Sequence, residues 1–256
     1  MKKIILLIVF FGLLGAFFLL TTQSLSGRMT TYTLGDNLLV ESFDFATREG
    51  IRITFPGNFE IEATGGRGKW WVNKIKKAGD DTWITQSLVW HLGLGGLVSR
   101  DHLSLWDKFL IWKVKSKIIW KDLEIIKTGL VDVDETLDKA QIWVLNSRWY
   151  KNEFFQDSQI ASEKLSVSVA NTTAADGLGA KASRIIELAG MRTTMLETTN
   201  SNISEACVLT TSKENQKKLG VKFLVLVFTC SLKIDDSLKD DVRLELGQKL
   251  ALWLFG

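Results

Sequence analysis

The sequence predicts a mixed α/β protein in three parts: an N-terminal transmembrane helix, a first α/β domain, and a smaller α/β domain led by a β–α–β unit. Three observations carry that prediction. An uninterrupted apolar run occupies Ile4 to Leu20. Short segments that alternate apolar and polar residues recur between Leu38 and Ala63. The stretch LSVSVANTTAADGLGAKASRIIELAGMRTTML, residues 165–196, reads as strand, turn, helix and strand in succession. The expected divisions are residues 1–24 for a cytoplasmic tail and anchor, 30–150 for the first domain, 151–164 for a linker and 165–256 for the second domain.

The anchor comes first in the chain. Lys2 and Lys3 precede seventeen apolar residues, Ile4 to Leu20, which Thr21 and Thr22 extend to nineteen. As a helix this run reaches roughly 26 to 28 Å, close to the bilayer hydrocarbon thickness of about 30 Å. The two lysines would keep the N-terminus cytoplasmic and place the bulk of the chain outside, with the membrane as its first partner. Gln23 to Thr30 reads as a polar spacer. Next come three β-like segments, Leu38 to Phe45, Ile51 to Phe55 and Phe59 to Ala63. They are separated by ATREG and by Pro56-Gly57-Asn58.

From Gly65 the pattern changes to helical. TGGRGKWWVNKIKKAG and DDTWITQSLVWHLGLGGL read as two helices, the second capped by Asp80 or Asp81. Leu103 to Lys117 is a third helix, Leu123 to Thr128 a strand, and Leu137 to Trp149 a fourth helix. Nine of the ten tryptophans lie between Trp70 and Trp149. They suit core packing, an apolar groove for a lipid chain, a ring-lined sugar site or a headgroup-facing surface. In the second domain the 165–196 unit has Asp176 as N-cap, a helical stripe of Leu178, Ala182, Ile185, Ile186 and Ala189, and Gly190 as C-cap glycine. Ala206 to Thr211 follows as a strand, Ser212 to Phe228 as a helix, and Leu232 to Ile234 and Val242 to Leu246 as strands.

Composition bounds the function. A net charge of +3 over 256 residues lacks the basic stripe of a dedicated nucleic-acid binder, so no nucleic-acid partner is expected. His91 and His102 stand apart from any cysteine or carboxylate at metal-ligand spacing. The Asp176-Gly177-Leu178-Gly179 turn enters a helix without a full phosphate-binding glycine pattern and reads as a capping turn. No hydrolase elbow, HExxH or P-loop is present. Cys207 and Cys230 are expected to form a disulfide that closes a loop worth about 3 kcal/mol, with two buried thiols as the alternative.

Residues 165–256 resemble a LytR C-terminal domain through VSVANTTAADGLGAKASRIIELAGM and DVRLELG, in that order. The segment from Asp36 to Asp157 resembles the LytR-CpsA-Psr (LCP) catalytic domain. Asp36-Asn37-Leu38-Leu39, Ile53 to Asn58, Gly68 to Gly79 and Leu137 to Arg148 carry that likeness. The resemblance implies a cell-envelope protein and transfer of a glycopolymer from a polyprenyl pyrophosphate to peptidoglycan, assisted by Mg2+ and by arginines and aspartates. Gly57 and Asn58 stand where that family's turn carries arginine and aspartate, and a pyrophosphate needs such cationic clamps. The resemblance therefore implies a diverged, non-catalytic LCP-like protein that binds cell-wall polymer, polyprenyl lipid or a partner protein. The alternative is an active phosphotransferase using Asp36, Arg67, Lys69 and Arg148, with Asp36 as a metal ligand.

Overall fold

The computed structural model describes residues 27–136, 139–199, 201 and 203–256. In the first half, β1 (Arg28–Leu34), β2 (Leu38–Asp44) and β3 (Glu49–Phe55) form an antiparallel meander. A small hairpin of β4 (Glu60–Glu62) and β5 (Lys69–Trp71) follows, then the helical turn α1 (Val72–Ile75) and the helix α2 (Asp81–Leu92). The strand β6 (Leu97–Ser99) joins β1 in parallel. After α3 (Leu105–Lys115), β7 (Ile119–Glu124) joins β3 in parallel, which completes a five-stranded sheet of order β6-β1-β2-β3-β7. A second hairpin pairs β8 (Val131–Glu135) with β9 (Gln141–Leu145).

Asp80 caps α2 by accepting a hydrogen bond from the Trp83 amide, and Gly93, at φ 73°, ends it in the left-handed conformation. The helix buries Ile84, Leu88 and Leu92 with Leu38, Val40, Ile53 and Phe55 of the sheet. Trp149 is fully enclosed in this core and donates its indole N–H to the Leu92 carbonyl at 2.7 Å.

The second half begins after the short helix α4 (Ser158–Ser162), whose cap is Asp157. Two crossover units follow, β10 (Ser166–Asn171), α5 (Leu178–Leu188), β11 (Arg192–Thr198), and β12 (Cys207–Thr211), α6 (Leu219–Phe228), β13 (Ser231–Ile234). Within each unit the two strands are parallel neighbours. The strand β14 (Val242–Leu246) inserts between the units, parallel to β10 and antiparallel to β12, so the order is β11-β10-β14-β12-β13. The chain closes on α7 (Gln248–Phe255). The stripe expected on α5, Leu178, Ala182, Ile185, Ile186 and Ala189, is buried against Val167, Val169, Leu209, Val242, Leu244 and Leu246. Gly190 follows the helix at φ 103°, as a C-cap glycine should.

The halves interlock. Trp90 of α2 lies in the second core, with its ring 5.7 Å from Phe228 and 6.3 Å from Trp253. Leu188 of α5 lies in the first. A Cβ at Gly93 would come within 2.9 Å of Leu188, so glycine there also permits the close approach. The Asp157 carboxylate accepts from the Arg28 amide and that of Asp44 from the Ser158 amide, which ties α4 and its cap, at the entry to the second half, to the first sheet.

Several expectations are corrected. The transmembrane helix expected over Ile4–Leu20 lies outside the described residues. Among the described residues no helix is long and apolar enough to cross a membrane. The longest, α2, has 12 residues and reaches about 18 Å, far short of about 30 Å. A fold class led by an anchor therefore gives way to a mixed α/β fold with several sheets. The single-pass topology, the cytoplasmic N-terminus with the bulk extracytoplasmic, and the membrane partner go with it. The helix expected over Leu137 to Trp149 is instead, where described, β9 and a 3-10 turn at Trp149–Lys151. Pairing with the alternating Val131–Glu135 strand outweighs the helical preference of its leucine and alanine. The helix expected from Gly65 shrinks to α1, because Lys69–Trp71 pairs with β4. Of the polar spacer expected over Gln23 to Thr30, the part from Arg28 on is strand β1. Asp176 does not cap α5: Gly177, at φ 78°, occupies the cap position with no side-chain bond.

Candidate functional site

A cavity of about 260 Å3 opens where the two halves meet. Its floor begins with Glu-Ile-Glu on β4. Strand alternation sends Ile61 into the core and turns Glu60 and Glu62 outward. Lys69, on the paired strand, reaches diagonally to Glu60 at 2.6 Å. A bridge between Phe59 and Trp143 sets the β8-β9 hairpin beside this floor and so brings in Asp134. From the other half, the apolar stripe of α5 leaves Lys181 and Arg184, one turn apart, facing the same cavity. His91 and Tyr150 complete the lining.

Two ion pairs are closed in this lining. Lys181 binds Glu62 at 2.7 Å across the two halves, with the lysine side chain 18% and the glutamate 51% exposed. Burial alone would raise the Glu62 pKa, but the bond and charge of Lys181 outweigh it and hold the carboxylate below its ordinary value. The hydrogen bond from Lys69 to Glu60 raises the lysine's pKa against a smaller desolvation effect. Arg184 and Asp134 are different. Arg184 lies over the Tyr150 ring at 4.2 Å, and neither it nor Asp134 makes an ion pair among the described residues. Arg184 is engaged with the Tyr150 hydroxyl and Asp134 acts on Lys69 through charge alone, so each half contributes one charge of opposite sign that forms no ion pair.

His91 is held neutral. Burial, reinforced by Lys181 and opposed by Glu62, lowers its pKa from 6.5 to about 4. Its Nδ1 accepts the Glu62 amide at 3.1 Å, which leaves the ring proton on Nε2. That Nε2 is buried and has no hydrogen-bond partner among the described residues. Tyr150 donates its hydroxyl to the His91 carbonyl at 3.1 Å, and burial raises the phenol's pKa.

Of the four candidate catalytic residues, Asp36, Arg67, Lys69 and Arg148, Lys69 alone belongs to this lining. Arg67 donates to the Ala78 carbonyl and lies over Trp83 at 4.9 Å. Asp36 sits in the exposed β1-β2 turn, with its carbonyl facing Gly57. Arg148 is exposed just before the 3-10 turn. No hydrogen bond or ion pair joins any two of the four, and among the described residues no group of three or more His, Cys, Asp or Glu side chains is placed to hold a metal ion. The glycine turn before α5 is internally satisfied: Asn171 Oδ1 accepts from the Thr173 amide and hydroxyl, while its Nδ2 donates to the Ala175 carbonyl.

The two cysteines are joined, Cys207 to Cys230, with Cα atoms 4.3 Å apart. Glu62, His91, Asp134, Tyr150, Lys181 and Arg184 were not identified as a site from the sequence. The signals present were the outward glutamates flanking Ile61 and the paired cations beside the α5 stripe.

Comparison of the chain with protein-family models, curated proteins and solved structures finds no match. The LytR-CpsA-Psr resemblance therefore rests on its short motifs alone. The function drawn from it is corrected. A phosphotransferase needs its cations and aspartates on one pocket, and of Asp36, Arg67, Lys69 and Arg148 only Lys69 lines this cavity. An anchored binder of cell-wall polymer or polyprenyl lipid needs a membrane segment, and no described helix supplies one.

Proposed function

We propose that this chain is a binding protein for a small zwitterionic molecule of amino-acid-like chemistry, held in the cavity between its two halves. The observation that carries the reading is the two charges without ion pairs, Arg184 from one half and Asp134 from the other, beside two ion pairs that are already closed. A ligand with a carboxylate and an ammonium would match both charges, whereas a purely anionic or cationic one would leave one wall uncompensated. The volume, just under the range usual for ligand pockets, suits only a small molecule. Among the described residues no hydroxyl or thiol is hydrogen-bonded to a histidine ring, so binding is a better reading of the geometry than nucleophilic chemistry.

The test is thermal unfolding of the full chain with each of the free L-amino acids, and with glycine betaine, at millimolar concentration. Hundredfold excess over Kd adds about 2.7 kcal/mol, or roughly 5 to 10 °C in Tm for a chain of this size. At least one zwitterion should stabilise the wild type, and Arg184→Ala and Asp134→Asn should each remove the shift. If no zwitterion moves Tm, or if the shift survives both substitutions, the reading fails.

A further inference from the structure

The cavity between the two halves holds one polar group that the carboxylate and ammonium of a zwitterion leave unserved. His91 lines it, and the ring is fixed at one end, where Nδ1 accepts the Glu62 amide at 3.1 Å. The proton is therefore on Nε2, and that N–H is buried with no hydrogen-bond partner among the described residues. Native folds leave few buried donors unpaired, because each forfeits the hydrogen bond it made with water. The charges close enough to act on the ring are those of Lys181, Glu62, Arg184 and Lys69, and all four residues line the same cavity.

The charge of the lining limits what can pair with this donor. Lys69, Lys181 and Arg184 are balanced by Glu60, Glu62 and Asp134, and burial keeps the histidine neutral. A ligand of zero net charge fits that balance, whereas a charged side chain on it would find a counter-ion only by breaking an ion pair. The planar guanidinium of Arg184 matches both oxygens of a carboxylate, so the acceptor for His91 comes from elsewhere on the ligand. Each closed ion pair also leaves one carboxylate oxygen open, since Lys69 engages Oε1 of Glu60 and Lys181 engages Oε2 of Glu62. The lining thus offers a neutral donor together with open acceptors. A carboxamide answers both in one planar group, and an aliphatic side chain answers neither.

We infer that the ligand is an amino acid whose side chain ends in a carboxamide, of the asparagine or glutamine type. Its carbonyl oxygen accepts from His91 Nε2, and its NH2 group donates to the open oxygen of Glu60 or Glu62. The assignment rests on the zwitterion reading above and adds the side-chain class to it. His91 is then the residue that sets specificity, while Arg184 and Asp134 hold the part common to all amino acids.

The experiment is calorimetric titration of the full chain with matched amino acids: L-asparagine against L-leucine and L-aspartate, and L-glutamine against L-methionine and L-glutamate. One of the two amides should bind at least about tenfold more tightly than both of its counterparts. His91→Phe keeps a ring against Phe59 but has no donor, and should bring that amide to within about twofold of its apolar counterpart. The wild type gives a check that needs no substitution. With the histidine ring nitrogens isotopically labelled, the Nε2 proton resonance of His91 should move downfield when the amide binds and stay in place when the apolar amino acid is added. If no amino acid binds, the zwitterion reading fails and this inference with it. If amino acids bind but the apolar or charged counterpart equals the amide, or the Nε2 proton is unmoved by the bound amide, or folded His91→Phe keeps the preference, the zwitterion reading stands and the carboxamide assignment is overturned.

Discussion

In the second half of the molecule, two of the four side-by-side strand pairs are linked by one helix: β10 to β11 through α5, and β12 to β13 through α6. In the first half the parallel contacts join remote segments, Thr30 with Leu97 and Glu49 with Ile119. Both parallel pairings within a β–α–β unit of the second half can thus be read from local patterns, while the parallel pairings of the first half, like that of β10 with β14, join partners far along the chain. The means of stabilisation differ as well. The second half has a disulfide between β12 and the start of β13, and the first relies on an aromatic centre around Trp149, whose ring lies 5.6 Å from Phe55 and 5.3 Å from Phe155.

The largest expected effect comes from breaking that aromatic centre. Trp149→Ala removes a fully enclosed indole and leaves the Leu92 carbonyl without its donor, for a loss of about 3 to 5 kcal/mol by urea unfolding. If the halves are as interlocked as Trp90 and Leu188 indicate, probes in both should lose stability together. Separate transitions for the two would show that the halves fold independently.

The disulfide offers the corresponding break in the second half. Replacing Cys207 and Cys230 by serine, or reducing them, releases a loop with a sequence separation of 23 and should cost about 3 kcal/mol. Comparison of oxidised and reduced chain by thermal unfolding measures it; an unchanged Tm would show that the bridge adds nothing to the stability of this half.

A third experiment probes the seam. The folded pKa of His91 lies below its ordinary value, so the unfolded chain takes up the proton first. The contribution of the neutral ring is complete above pH 6.5 and is lost as the pH falls toward about 4. The loss amounts to about 3 kcal/mol at most, and Glu62 and Asp44, both held below their ordinary values, add their own losses only at the acidic end. For Asp44, burial works against that lowering and the Ser158, Thr47 and Ala46 hydrogen bonds overcome it. His91→Gln should flatten the stability profile between pH 6.5 and 5 while leaving the acidic limb; a wild-type profile already flat there would refute the buried neutral ring.

The same contrast explains what was legible beforehand. The α5 stripe and its closing Gly190 could be read because every residue involved lies within one helix. The β8-β9 hairpin was not recognised. Val131–Glu135 alternates as a strand should, yet its partner Gln141–Leu145 also tolerates a helix, and the choice depends on cross-strand contacts. Lys69 could be singled out as a lone cation, but its meaning depends on Glu60 opposite and on a hairpin and a helix from elsewhere in the chain. His91 looked isolated because none of its neighbours is near it in sequence: Glu62 is 29 positions away and Tyr150 59.

By itself, then, the sequence determined the mixed α/β class, the β–α–β unit of residues 165–196, the strands of the second sheet and the cysteine pair. These follow from periods of two and 3.6 residues and from the chemistry of thiols, which act over short range. Only the tertiary structure decided where β14 inserts, how Trp90 crosses into the second core, and that Arg184 and Asp134 share a cavity. Those outcomes depend on burial and charge summed over elements distant in the chain, and no local pattern encodes such a sum.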